Sequence, residues 1–67
     1  VTRTVHSPAG DRLIRVALPR EHEHGWVTWW SVEGGPSGTV TYPAAGPDSL
    51  GSLQRALADA ERAAAVI

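Results

Sequence analysis

A chain of 67 residues has room for one domain, 1–67, and folding at that size buries roughly 60% of the unfolded surface, so the core must be thin. Hydrophobic residues make up 42% and charged residues 19%, with a formal net charge of −1 and no cysteine. That balance argues against a disordered chain, a disulfide scaffold or a thiolate zinc site, and it lacks the basic excess on which non-specific nucleic-acid binding rests. All six basic residues are arginine, which with the alanine and glycine content points to a GC-rich bacterial source. The longest apolar run, Ala63 to Ile67, is far short of a membrane span, and no basic-then-apolar leader opens the chain. The expectation is a cytoplasmic protein.

Turn-rich clusters at Ser7 to Asp11, Pro19 to Gly25, Gly34 to Gly38 and Pro43 to Pro47 leave four short segments between them. The first, about Thr2 to His6, is rich in β-branched residues. In the second, Arg12 to Leu18, Ile14, Val16 and Leu18 fall on one face and Leu13, Arg15 and Ala17 on the other. The third is Trp26 to Glu33 and the fourth Thr39 to Tyr42. Each connection is short enough for a hairpin, so the sequence predicts an antiparallel meander over about 2–42.

From Leu50 the apolar spacing changes to three and four. Leu50, Leu53, Leu57, Ala60, Ala64 and Ile67 form one stripe, with Ser52, Arg55, Asp59, Glu61 and Arg62 opposite, which predicts an amphipathic helix over about 49–66. Asp48 or Ser49 supplies the cap. The fold class is α+β, a four-stranded antiparallel sheet with one C-terminal helix packed on one face (ββββα). One helix covers one face, so the other must meet water, a partner or a ligand.

Two of the three histidines and all three tryptophans fall between His22 and Trp30. Neighbouring strand residues point to opposite faces, so Trp29 and Trp30 cannot share a core. The set Trp26, Thr28, Trp30 and Val32 is the more apolar and is assigned to the helix side, facing Leu53, Leu57 and Ala60, with Ile14, Val16, Leu18, Val40 and Tyr42 beside it. Leu13, Arg15, Ala17, Val27 and Trp29 then share the open face. They form a candidate partner-binding patch, and self-association is the simplest way to cover it.

His22 and His24 are two apart, with Glu21 and Glu23 beside them, but no third ligand has a diagnostic spacing. A metal-responsive loop is therefore kept as a minor reading, and no metal, cofactor or small-molecule substrate is inferred. The carboxylate pairs Glu21/Glu23 and Asp59/Glu61 and serines 7, 31, 37, 49 and 52 lack catalytic context. The glycine-rich run Gly34-Gly35-Pro36-Ser37-Gly38 joins two strands rather than opening a helix, which makes it a hairpin loop and not a phosphate cradle. The sequence points away from an enzyme.

Several short pieces resemble a family of small uncharacterised bacterial domains built as four strands and a C-terminal helix. They are Arg3-Thr4, Gly25-Trp26, Val32-Glu33-Gly34, Thr41-Tyr42, Ala45-Gly46, Asp48-Ser49-Leu50, Leu53 and Ala56-Leu57. Pro47 and the added Gly51-Ser52 depart from that pattern. The resemblance implies the fold and no function. The strand-helix order is also similar in outline to single-stranded DNA-binding transcription cofactors, and that likeness implies bases stacked on Trp29 with Arg12 and Arg15 meeting phosphates. The functional expectation is a non-enzymatic interaction or accessory domain, a homo-oligomer or partner binder, with single-stranded nucleic acid as the alternative ligand.

Overall fold

The computed structural model describes residues 1–36 and 38–66, and so the places given above to Ser37 and Ile67 lie outside the described residues. Among the described residues five strands and one helix follow in order: β1 (Thr2–Ser7), β2 (Gly10–Val16), β3 (Arg20–His22), β4 (Gly25–Gly35), β5 (Gly38–Gly46) and α1 (Ser49–Val66). All strand pairs are antiparallel, and the helix packs on one face of the sheet. The predicted class and helix limits match this architecture.

The sheet has five strands where the sequence predicts four. β2 pairs with β4 over Leu13–Val16, and β3 pairs with β4 over Arg20–His22. β5 runs along β4 beside both segments, so β2 and β3 share the opposite edge. They are one interrupted strand. Ala17 N–H still donates to Trp29 O at 2.9 Å, but Pro19 has no amide to donate and biases Leu18 away from regular pairing. Leu18, expected in the core, is 85% exposed as a result. At the first hairpin Gly10 takes φ +123°, a conformation that β-carbon sterics discourage in other residues.

β5 extends to Gly46, past the predicted stop at Tyr42, and carries Pro43 within it. An edge strand tolerates that proline because only one of its sides needs amide donors. The register places Ile14, Val32 and Val40 in one row, Val16, Trp30 and Tyr42 in the next, and Thr28 beside Ala44 in the third. Ile14, Val16, Trp30, Val32 and Ala44 are buried under the helix. Tyr42 lies on this face yet remains 54% exposed at the sheet edge, its ring tilted against Trp30 at 5.4 Å. Trp26, expected in the core, is half-buried.

The helix meets the sheet through Ser52, Ala56, Ala60 and Ala64, a row spaced by four. This stripe is rotated from the predicted one: Leu53 and Leu57 close its flank half-buried, Leu50 is 61% exposed, and Ser52, expected on the solvent side, is buried. Close approach explains the rotation. A β-carbon on Gly46 would lie 2.4 Å from Ser52 N and 2.8 Å from the Gly51 carbonyl carbon, so backbone packs on backbone where the chain enters α1. Only small residues fit beneath a helix seated that low. Thr28 Oγ1 and Ser52 Oγ meet at 2.8 Å in this contact, both fully buried. Asp48 caps the helix, its Oδ1 accepting from Gly51 N–H at 2.6 Å.

Candidate interaction face

Because Trp30 and Val32 face the helix, alternation along β4 sends Val27, Trp29, Ser31 and Glu33 to the opposite side. Register adds the neighbours. Leu13 pairs with Glu33, Arg15 with Ser31, and Arg20 with Val27 from one edge of β4, while Thr41, Pro43 and Ala45 pair with Ser31, Trp29 and Val27 from the other. The structure thus brings Leu13, Arg15, Ala17, Val27 and Trp29 onto one face, as their alternation predicts. Trp29 is 46% exposed, Leu13 and Val27 are half-buried, and Arg15 and Ala17 are exposed.

Thr2, Arg20, Ser31, Glu33, Thr41, Pro43 and Ala45 also lie on this face and are missing from the sequence-predicted patch. The alternation that places Trp29 also places Ser31. Pro43 and Ala45 needed the longer strand and its register, which a turn assignment starting at Pro43 hides, whereas Thr41 alternates with Val40 and Tyr42 inside the predicted fourth strand.

The face is uneven. A groove of about 300 Å³ crosses the sheet beside Trp29, lined by Thr2, Arg15, Ala17, Ser31 and Thr41. A second hollow of about 320 Å³ lies at the far end against Val27, Ala45, His22 and His24. Charges of both signs border the patch. Arg15 Nη1 lies 3.4 Å from Glu33 Oε1, and His6 Nδ1 lies 2.8 Å from Asp11 Oδ1. An exposed ion pair such as Arg15–Glu33 adds at most about 1 kcal/mol.

Arg12 does not join this face. It shares the parity of Ile14 and Val16, is 5% exposed on the helix side, and its Nη1 donates to Asp11 O at 3.1 Å. Phosphate contact through Arg12, implied by the likeness to the DNA-binding cofactors, conflicts with that placement. The buried side of an alternating strand is the physical reason.

His22 and His24 are both exposed, and among the described residues no group of three or more His, Asp or Glu side chains is placed to hold a metal ion. Asp59 pairs with Arg62 at 3.2 Å and with Arg55 at 4.0 Å, and Glu61 pairs with Arg3 on β1. The Glu61–Arg3 pair links α1 to β1, whereas both Asp59 pairs lie within α1. Ser7 Oγ donates to Gly10 O at 2.5 Å within the first turn, and Ser52 Oγ donates to Ser49 O at 3.0 Å. Among the described residues no helix is long and apolar enough to cross a membrane.

Compared with known protein families, curated proteins and solved structures, the chain finds no match in any of the three.

Proposed function

We propose that this chain is a small non-enzymatic accessory domain that pairs with a second copy through the sheet face bearing Trp29. The observation that carries the reading is an indole 46% exposed on the face that α1 leaves uncovered. A domain this small gains proportionally more than a large one from a second layer. With extents of 38 × 17 × 16 Å, the face offers roughly 600 Å² per copy, and a pair buries about 1,200 Å², the lower bound of specific interfaces. The expected dimer is therefore one that dissociates on dilution.

A tryptophan presents about 150–250 Å², so covering the exposed part of Trp29 removes about 100 Å² from water, worth about 2.5 kcal/mol in each copy. Trp29→Ala should weaken pairing by roughly several thousandfold, from about 5 kcal/mol over the two copies, while leaving the domain folded. Light scattering across a concentration series of wild type and variant tests this. A wild type that remains monomeric throughout, or a variant that dimerises as well as wild type, refutes the reading. Single-stranded nucleic acid is the weaker alternative for the same face, since Arg12 is buried and Arg15 faces Glu33.

A further inference from the structure

The open face carries a projection and a hollow side by side. Trp29 stands in a row with its register partner Pro43 and with Ala17, whose amide donates to the Trp29 carbonyl. The adjoining row reads Thr2, Arg15, Ser31, Thr41 across the sheet. Three of those four side chains are short and hydroxylated, and the groove of about 300 Å³ runs along this row with Ala17 and Trp29 itself on its other side. That volume equals roughly ten waters, enough for an indole ring.

A closed two-fold pair requires a surface that complements itself, with each feature and its counterpart on the same copy. We propose, resting on the pairing reading above, that Trp29 of each copy seats in the Thr2–Arg15–Ser31–Thr41 groove of the other, reciprocally. The groove chemistry suits that occupant. Its hydroxyls accept a hydrogen bond from the indole N–H, which a purely apolar slot would leave unpaired. Arg15, held beside Glu33 at 3.4 Å, supplies a guanidinium at the groove wall for the ring face. Arg15 and Arg20 with Asp11 and Glu33 give the face both signs of charge, so a second copy meets no single-sign field. The area of about 600 Å² per copy requires that the whole face be used, groove included.

The test separates projection from hollow. Thr41→Trp fills the groove from an exposed position on an edge strand where an aromatic residue is well accommodated, and Trp29→Ala removes the projection. Ser31→Leu fills the same groove from β4 and replaces Thr41→Trp if circular dichroism shows that the latter is misfolded. By sedimentation, each variant alone should self-associate at least about tenfold more weakly than wild type. An equimolar mixture of the two should form a heterodimer at least about tenfold tighter than either homodimer, because one intact projection then meets one intact groove. A groove-filled variant that still dimerises like wild type overturns the seating while leaving the Trp29 pairing reading intact. A monomeric wild type overturns both, and binding of a short oligo(dT) by that monomer would assign the face to nucleic acid instead.

Discussion

The buried Thr28–Ser52 contact ties α1 to the sheet, and its protons can be assigned. Ser52 has one hydroxyl proton and donates it to Ser49 O at 3.0 Å, so in the 2.8 Å contact Thr28 donates and Ser52 accepts. Both residues are fully buried. Ser52→Ala leaves the Thr28 hydroxyl without an acceptor in a dry contact, at a cost of about 1–3 kcal/mol, reduced by a few tenths because alanine is the better helix former. Thr28→Val removes the donor at nearly constant volume while Ser52 keeps its bond to Ser49, so the loss is about 1 kcal/mol. The double variant orphans nothing. It should be less destabilised than Ser52→Ala alone, with a coupling of about 1–2 kcal/mol in the double-mutant cycle.

A domain of this length has a total stability of about 3–10 kcal/mol, so each step is measurable. Urea unfolding followed by tryptophan fluorescence reads it as shifts of the midpoint at constant slope. Strict additivity of the two substitutions would refute the proton assignment and the dry contact together.

Trp30→Ala should cost about 3–5 kcal/mol and unfold much of the population, whereas Trp29→Ala leaves the fold standing; circular dichroism of the pair checks the face assignment. Trp30 Nε1 is buried with no partner among the described residues, so Trp30→Phe should cost less than about 1.5 kcal/mol in the same urea assay, because it also removes an unpaired donor. Gly46→Ala forces a methyl group against Ser52 N and should cost about 1–3 kcal/mol by thermal unfolding, despite being a one-carbon change. Asp48→Ala removes the helix cap and should lower stability by about 1 kcal/mol in the same measurement, with Asp48→Asn restoring most of it.

The helix limits were legible because the change from alternating to three-four apolar spacing at Leu50 follows the period of the local backbone, which sets where the helix runs but not which stripe of it is buried. The opposite facing of Trp29 and Trp30 was legible for the same reason. What stayed hidden depends on neighbours distant in sequence. Leucines dominated the apolar stripe of the helix, but Gly46 lets the backbone of the helix approach so closely that Ser52, Ala56, Ala60 and Ala64 take the contact and the leucines move to the flank. Pro43 read as a turn because its edge position, which makes it harmless, is not encoded locally. Leu18 read as core because alternation was carried one residue too far toward Pro19. The candidate face inherits this division: its β2 and β4 members and Thr41 follow from alternation, and Thr2, Pro43 and Ala45 from register.

The alanine stripe also bears on how the molecule opens. The fully buried side chains that α1 contributes to the contact are four small ones, flanked by half-buried Leu53 and Leu57, while the sheet contributes the larger buried residues Ile14, Val16, Trp30 and Val32. An 18-residue helix is marginal once detached, and the sheet without it exposes its largest buried residues to water. Neither layer persists alone. Their amide protons should therefore exchange with solvent through one shared global opening, with Ala56 and Ala60 as well protected as Val32, rather than through a helix that lifts off first.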